Sequence, residues 1–417
     1  GELYLEYHRG TYTTQAKVKR GNRKSELLLR DAEFLDAVSA LFVPDRKETV
    51  ANPERAVYDT AGLGEDWRSH KAALHRAWRL VLLNQFHDIV PGSSIHWVYL
   101  DAARDYEKVR QLGESTRDSS IAALATAIDT SEFKRPTLTI NTLGFARREV
   151  LEVDGAPRLV SAPAFGWEVS DAGCDPAYPV RAGRKGGKFV LENGLVRAVI
   201  DTKGLLTSFV DLRQNREALA SPGNAFQLHN DIPNMWDAWD VDAFYKETCA
   251  DIDGLESLEL VEEGPLRAVV RLVRKFGASH IEQRVVLNAD SARLDFQTRV
   301  DWHECRKLLK VAFPVEVRAM NATYEIQYGQ VERPTHYNTS WDMARFEVCA
   351  QRWADLSEPG FGVALLNDCK YGHEIHRNVM RLTLLRAPIS PDPVADRGTH
   401  EFTYALLPHG DTGLGEV

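Results

Sequence analysis

The segment from Leu83 to Ser94, with the sequence LNQFHDIVPGSS, combines residue types that bind metal ions or move protons. His87 offers an imidazole nitrogen, a common zinc ligand, and Asp88 offers a carboxylate that can hydrogen-bond to a neighbouring ligand. The alternative is a histidine at the C-terminal end of a helix, where it favours the helix dipole and caps carbonyls. No second ligand follows three or four residues later, so the sequence pattern leaves both interpretations open.

A second polar cluster, EYHRGTYT, follows the first few residues of the chain. The first six residues alternate in polarity like a strand, so we expect a strand and then a loop. Loops after the strands of a parallel barrel commonly carry functional residues, which makes His8, Arg9 and Tyr12 candidates for a functional loop. A surface loop built around a glycine turn is the alternative interpretation.

A third cluster, NDIPNMWDAWDVD, alternates tryptophan with aspartate. Trp236 and Trp239 can stack on the C–H faces of a sugar, while Asp237 and Asp240 accept hydrogen bonds from its hydroxyls. The alternatives are core tryptophans with solvated acids, or a hydrolase that uses the two aspartates directly. Residues three apart share a face only on a helix, and the surrounding pattern does not favour a helix.

Apolar residues with helical spacing must position these clusters. They predict helices at 23–42, at 67–86, which ends before Pro91, and from the N-caps Ser93 and Ser94 to about residue 128. We expect a three-helix bundle within residues 22–130.

Beyond Pro136 the helical spacing gives way to short alternating runs between Gly, Pro, Asn and Asp, the pattern of an antiparallel β-sandwich. These runs predict strands at Thr137–Asn141, Glu149–Val153, Lys188–Leu191, Val196–Ile200, Ala268–Val273, Ile281–Leu287, Leu294–Val300 and Leu308–Phe313.

Composition narrows the function classes. The chain has 417 residues with 51 basic and 60 acidic side chains, a net charge of -9 that does not suit a surface for duplex nucleic acid. It has no apolar run long enough to span a membrane. Its five cysteines are odd in number and widely spaced, which favours reduced thiols in a cytoplasmic protein over a disulfide scaffold.

Several long segments together resemble glycoside hydrolase family 38, the zinc-dependent α-mannosidases, and most closely its bacterial and cytosolic branch. They are GELYLEYHRGTYTTQAKVKRGNRKSE, LLNQFHDIVPGSS, WDAWDVD, ERPTHYNTSWDMARFE, LLNDCKYG and PDPVADRGTHEFTYALLPH. The resemblance implies a multidomain α and β fold, with a three-helix bundle followed by antiparallel β-sandwich domains of the galactose-mutarotase-like supersandwich type. The domains expected are 1–21 as the end of a catalytic barrel, 22–130 as the bundle, 131–186 as a small β-domain or linker, and 187–417 as a truncated C-terminal sandwich.

The resemblance also implies a retaining hydrolysis of terminal α-D-mannosides in mannose-containing oligosaccharides. In the family, zinc held by two Asp and two His grips two hydroxyls of the mannose, and an aspartate nucleophile and a second carboxyl group act about 5 Å apart. The family's QxHD motif places the fourth zinc ligand at His87 and makes Asp88 its hydrogen-bonding neighbour. The opening loop corresponds to a family loop that lines the mannose subsite, with His8 where other branches have a stacking Trp.

The remaining zinc ligands, the nucleophile and the acid/base are expected upstream of Gly1, in the barrel. The chain is therefore expected to be a part of an α-mannosidase that lacks its N-terminal barrel, is inactive alone and holds no zinc stably. The competing hypothesis is a non-catalytic carbohydrate-binding sandwich module with a helical bundle. Homo-oligomerisation stays open, and no nucleic-acid or membrane partner is expected.

Overall fold

The computed structural model describes residues 2–48, 50, 69–171 and 173–410. Within these residues, long helices come first along the chain and β-strands make up almost everything after residue 136. None of the described helices is both long enough and apolar enough to cross a membrane.

Three helices, α1 (Ala16–Phe42), α2 (His70–Asn84) and α3 (His96–Ala127), pack against one another. Apolar residues with helical spacing form their shared core, since a helix places residues three and four apart on the same face. The buried core residues are Leu29, Ala32, Ala73, Leu74, Ala77, Val81, Val109 and Leu112. The predicted three-helix arrangement is therefore present in the described residues.

The start of the chain differs from the prediction. Residues 2–5 form no strand, and two single turns of 3-10 helix, Glu6–His8 and Gly10–Tyr12, follow them. Alternating polarity becomes a strand only beside a pairing partner, and these residues pair with no described strand. Helix α1 also begins earlier than predicted, at Ala16 rather than at residue 23.

The other helix ends differ in detail. Helix α2 ends at Asn84, before the predicted Phe86, and its predicted start at Trp67 lies outside the described residues. Ser93 and Ser94 do not cap α3, whose N-cap is Ile95 without a side-chain hydrogen bond. Their hydroxyls bond instead to the turn before the helix, because an acceptor is available there.

Among the described residues before residue 220, nine strands form small antiparallel sheets. They are β1 (Thr137–Asn141) with β4 (Gly166–Ser170), β2 (Arg147–Val153) with β3 (Ala156–Ala162), and a five-stranded sheet of β5 (Arg181–Lys185), β6 (Lys188–Glu192), β7 (Val196–Ile200), β8 (Leu206–Asp211) and β9 (Arg216–Glu217). Strands β5 and β6 are joined by the tight turn Gly186–Gly187, so a boundary after residue 186 would separate paired strands. We therefore propose that the small β-domain ends before β5.

The remaining elements build two large sheets. They are, in chain order, β10 (Ala225–Asn230), a 3-10 helix (Ala243–Thr248), β11 (Ala250–Asp251), β12 (Leu255–Glu262), β13 (Arg267–Phe276), β14 (Ser279–Asn288), β15 (Leu294–Trp302), β16 (Lys307–Pro314), β17 (Asn321–Ile326), β18 (Gly329–Pro334), α4 (Ser340–Ala344), β19 (Val348–Cys349), β20 (Trp353–Glu358), β21 (Phe361–Asn367), β22 (Gly372–His376), β23 (Val379–Arg386) and β24 (Gly398–His409). Six of these strands form one sheet, in the order β11-β10-β16-β23-β22-β19. Nine form the other, in the order β12-β13-β14-β15-β24-β21-β20-β17-β18.

The two large sheets share one apolar core and form a β-sandwich. Phe313 of the six-stranded sheet and Phe296 of the nine-stranded sheet meet with ring centroids 5.5 Å apart, and Tyr404 stacks on Phe296 at 5.1 Å. Along β15, for example, alternate residues point into this core, as the period of two requires. The eight strands predicted from alternating runs all lie within observed strands, and the predicted fold class is confirmed.

Candidate functional site

Three segments marked by the sequence as chemically interesting meet where the helices join the sandwich. They are the opening segment (residues 2–15), the histidine turn (residues 85–95) and the tryptophan loop (residues 231–242). The backbone N–H of Gly10 donates to the carbonyl oxygen of Trp239 at 2.8 Å, which joins the first segment to the third. The Lys19 ammonium donates to the carbonyl oxygens of Thr14 and Val90, which joins the first segment to the second.

Arg9 anchors the opening segment to the sandwich. Its guanidinium is buried, donates to the carbonyl oxygen of Ala344 at 3.0 Å and to the Asp240 carboxylate at 3.3 Å, and lies 4.5 Å from the ring centroid of Phe346. These contacts use the planar guanidinium on both its edge and its face. Arg9 therefore holds the segment in place and does not point to solvent.

His8 and Tyr12 differ in exposure, although they lie four residues apart. The His8 side chain is exposed, whereas Tyr12 is half-buried. Burial raises the pKa of the Tyr12 hydroxyl well above its ordinary value, so it stays protonated. Of the candidates in the opening segment, His8 is the one available to a sugar.

A buried arginine organises the tryptophan loop from inside. Arg386, at the end of β23, donates to the carbonyl oxygens of Asp237, Ala238 and Asp240 at 2.9–3.0 Å and to the Asp231 carboxylate at 2.8 Å. Burial raises the pKa of the Asp231 carboxyl to about 6, in spite of the opposing attraction of Arg386. With a fifth hydrogen bond, donated to the Thr14 hydroxyl at 2.9 Å, all N–H groups of the guanidinium are used, and the loop is closed around it.

Asp237 and Asp240 of the tryptophan loop also face inward. Asp237 accepts hydrogen bonds from the backbone N–H groups of Ile389 at 2.6 Å and Ser390 at 3.1 Å. Asp240 is buried beside Arg9, and burial raises the pKa of its carboxyl while Arg9 opposes the rise. Both side chains thus hold the loop against its surroundings.

The tryptophans themselves are more accessible. Trp236 is 56% exposed and adopts a φ of 61°, and its ring meets that of half-buried Trp239 edge to face, with centroids 6.0 Å apart. An exposed indole supported by a second ring is suited to stacking on a sugar. Trp236 is therefore the residue of this loop that can face a ligand.

The histidine turn presents His87 to solvent. It follows the last residue of α2, and 75% of the His87 side chain is exposed, with Nε2 3.2 Å from Oδ2 of Asp88. The imidazole rests on the ring of Phe86, with centroids 4.1 Å apart. Asp88 accepts a hydrogen bond from the Ser93 hydroxyl at 2.9 Å, so the carboxylate beside His87 is itself held.

Sequence reasoning missed the residues that hold this junction together. Arg386 and Lys19 lie inside the protein, although arginine and lysine are usually exposed. The loop between β23 and β24 adds Asp392, which accepts from the Gln15 amide at 2.8 Å, and Asp396, which accepts from two backbone N–H groups at the start of α1. The polar run PDPVADRG contained these acids, but only the fold shows which helix they face.

Comparisons with known proteins identify the family to which the chain belongs. Residues 191–394 match the model described as the glycosyl hydrolases family 38 C-terminal domain, and residues 6–124 match the alpha mannosidase middle domain. The chain belongs to glycosyl hydrolase family 38. The resemblance found in the sequence is thereby confirmed.

Relatives within family 38 extend well beyond the matched region. The chain is 43% identical to human alpha-mannosidase 2C1 and 36% identical to alpha-mannosidase G of Dictyostelium discoideum, in each case over 98% of this chain. It spans 38% and 41% of the length of these two proteins. Their names state α-mannosidase activity for the whole proteins.

A solved structure shares the fold. The crystal structure of an alpha-mannosidase from Enterococcus faecalis V583 superimposes with a TM-score of 0.78 at 16% identity, over 97% of this chain and 55% of that one. At this identity the likeness concerns the fold, a few N-terminal helices followed by β-sandwich sheets.

Family 38 is generally zinc-dependent, which raises the question whether the side chains around His87 could form a complete zinc site. His87 belongs to no described group of three or more His, Cys, Asp or Glu donors within reach of one ion. A catalytic zinc needs about three protein ligands. The described residues therefore fit zinc only as the source of one imidazole ligand.

One described group has a metal-like set of donors, Asp36, Glu48 and His70. Asp36 accepts from both Arg46 at 2.7 Å and the His70 ring at 2.6 Å, and Glu48 accepts from the backbone N–H of His70 at 2.8 Å. The positive charge beside Asp36 is the Arg46 guanidinium, and Glu48 accepts from the backbone N–H of His70, the first residue of α2. These residues therefore form an ion-pair network that fixes the start of α2.

Proposed function

We propose that this chain is the bundle-and-sandwich part of a retaining α-mannosidase that removes terminal α-D-mannose from mannose-containing oligosaccharides. The observation that carries the proposal is the exposed imidazole of His87, held at a junction with the opening segment and the tryptophan loop in a chain of family 38. The relatives named α-mannosidases support it, but the chain spans 38% of the human protein, so the activity of a whole enzyme is part of the proposal.

We propose distinct roles for the residues at the junction. His87 supplies one zinc ligand and Asp88 orients it, while His8 and Trp236 line the sugar-binding surface. Zinc, when bound, would hold hydroxyls of the terminal mannose. Arg9, Asp237 and Asp240 keep the surrounding segments in place, Tyr12 packs behind them, and Trp239 supports Trp236.

The chain alone is proposed to be inactive and to bind no zinc stably. A retaining glycosidase needs two free carboxyl groups about 5 Å apart, one as nucleophile and one as acid/base. Asp237 and Asp240 are bonded to backbone N–H groups and to Arg9, which does not favour their use as that pair. The enzyme that contains this chain would supply the carboxylates and the other zinc ligands from elsewhere.

A carbohydrate-binding module without catalysis is the second candidate. The exposed Trp236 ring, supported edge to face by Trp239, is the observation that favours it. Such a module would bind mannose oligosaccharides without metal and without turnover. Calorimetric titration of the isolated chain with mannotriose, with and without a chelator, separates it from the proposed function.

Substitution of His87 in the full-length enzyme tests the proposed function. His87→Ala should lower kcat/KM for an aryl α-mannoside by more than about 100-fold, because losing a ligand costs more than losing a ligand's hydrogen-bond partner, which costs about 10–100-fold. The melting temperature of the metal-free enzyme should stay constant, since the side chain is mostly exposed and stabilisation by bound zinc is then absent from both proteins. His75→Ala, at an exposed histidine of α2, is the matched control. Full activity of a folded His87→Ala enzyme would refute the assignment.

We also propose a cytoplasmic location. The five cysteines are all free in the described structure, as expected in a reducing compartment. Loss of activity under mild oxidation, and its recovery with a thiol, would agree with this location. Recovery of the active enzyme only from an oxidising compartment would contradict it.

A further inference from the structure

Lys19 lies in the first turn of α1 and is 5% exposed. Its ammonium donates to the carbonyl oxygen of Thr14 at 2.5 Å and to that of Val90 at 2.8 Å, with Pro91 O a further 3.4 Å contact. All three acceptors are backbone carbonyls, so the contact depends on the course of the chain and not on a partner carboxylate. Lys19 thus links the opening segment directly to the histidine turn.

Burying an ammonium is unfavourable, which makes this contact informative. Burial lowers the pKa of Lys19 below its ordinary value, and the nearby Asp396 carboxylate opposes part of that change. A charged group that stays inside the protein must be compensated by the hydrogen bonds it donates. The position of the turn carbonyls is therefore coupled to the position of Lys19.

The backbones of the histidine turn and the opening segment also pack closely together. Gly92 of the histidine turn has a φ of 95°, and a Cβ added there would lie 2.5 Å from the carbonyl oxygen of Thr14. Only glycine allows the turn to lie this near to the opening segment. The turn and the segment are consequently in direct contact beside the Lys19 ammonium.

The opposite side of the turn is held by α3. The hydroxyl of Ser94 donates to the carbonyl oxygen of Asp88 at 2.8 Å, and the Tyr99 hydroxyl accepts from the Ser94 backbone N–H at 2.7 Å. His87 thus lies on a turn fixed from two sides while its own side chain stays exposed. Of these two sides, the one with Lys19 contacts the opening segment.

We propose that Lys19 is a positioning residue that fixes the backbone of the histidine turn on the opening segment and thereby sets where the His87 imidazole points. The inference rests on the proposed function only where it concerns zinc. Its structural part, the ordering of residues 89–93 by the ammonium, is independent of catalysis. Lys19 touches neither substrate nor metal and acts through the Thr14 and Val90 carbonyls.

Hydrogen exchange in the chain as it stands tests the structural part. Lys19→Met keeps the length of the side chain and removes its donors, so amide exchange of Ile89, Val90, Gly92 and Ser93 should become at least about tenfold faster, while amides in the middle of α2 and α3 keep their rates. Lys19→Arg, which keeps the donors, should restore most of the protection. Lys17→Met, at an exposed position one half-turn earlier, is the matched control.

Zinc affinity of the full-length enzyme tests the functional part. Competition with a chelator should show an affinity about tenfold weaker for Lys19→Met than for Lys17→Met, with recovery in Lys19→Arg, because changes behind a ligand cost about 10–100-fold. If Lys19→Met does not fold, Lys19→Gln replaces it. That variant removes the ammonium and shortens the side chain, so it loses the hydrogen bonds to the Thr14 and Val90 carbonyl oxygens and should show the same faster exchange.

Two results would overturn the inference. One is unchanged exchange of residues 89–93 in a folded Lys19→Met chain. The other is an unchanged zinc affinity in Lys19→Met when His87→Ala has lost it. If His87→Ala itself leaves zinc affinity intact, the proposed function fails, and the exchange experiment still decides the structural role of Lys19.

Discussion

The tryptophan loop and the histidine turn look alike in sequence, since both mix aromatic residues with acids beside a bend. In the structure they are opposites. The acids of the tryptophan loop are bonded inward to Arg9 and to backbone N–H groups, around the buried Arg386. The histidine turn is fixed through its backbone, and its imidazole is left 75% exposed. Residues whose types suggest catalysis or binding therefore indicate a functional site only when folding leaves their polar atoms accessible.

The largest expected effect comes from removing the centre of the tryptophan loop. Arg386→Met leaves the Asp231 carboxylate buried without its partner, and breaking such a buried pair costs about 3–5 kcal/mol of unfolding free energy. His87→Ala should change the unfolding free energy by less than about 0.5 kcal/mol. Urea unfolding followed by circular dichroism measures both. Equal losses in the two variants would remove the contrast between the two regions.

The next largest effect concerns the buried His373 and is measured as the dependence of the unfolding free energy on pH. Burial lowers the pKa of His373, on β22 of the six-stranded sheet, to about 4. Between pH 6.5 and 4 the unfolded chain binds a proton there that the folded chain does not, so stability falls as the pH is lowered through this window. His373→Gln should reduce this slope by up to about 1.4 kcal/mol per pH unit. Ile375→Val, a buried change on the same strand, should leave the slope unaltered, and an unaltered slope in His373→Gln would contradict the prediction.

The smallest expected effect is the difference in stability loss between substitutions of Asp237 and of its neighbour Trp236 in the tryptophan loop. Asp237→Ala removes the carboxylate that accepts from the part-buried N–H of Ile389 and the exposed N–H of Ser390, and since hydrogen bonds to a charged group are the stronger ones it should cost about 1–3 kcal/mol of unfolding free energy. Trp236→Ala, at the exposed residue beside it, should cost less than about 1 kcal/mol and weaken sugar binding instead. Thermal melts and mannotriose titrations of the two variants provide the measurements. A larger stability loss for Trp236→Ala would mean that the exposed ring is structural.

Much of the fold follows from local sequence patterns. The spacing of apolar residues such as Leu74, Ala77 and Val81 predicts the packed helices, and the alternating runs predict eight strands, because each period fixes which residues share a face. The same rule predicted a strand at residues 1–6 that does not form. Alternation specifies a face but not a partner, and pairing depends on what lies alongside.

The site was harder to predict than the fold. His87 and Trp236 were candidates from residue type, and both are exposed. The inward role of Asp237 could not be inferred, because the Arg386 that organises its loop lies 149 positions further along the chain. Buried cations leave no sequence signal, since lysine and arginine are ordinarily surface residues.

The start of α1 has a consequence for how the chain folds during synthesis. The backbone N–H of Gln15, a residue at a φ of 60°, donates at 2.7 Å to the carboxylate of Asp396, which also accepts from Ala16. Gln15 and Asp396 are 381 positions apart. A ribosome that has released the three helices has not yet made the residue that closes the first turn of α1. The helices can therefore pack early, but their contact with the sandwich at this point can form only after Asp396 has been synthesised.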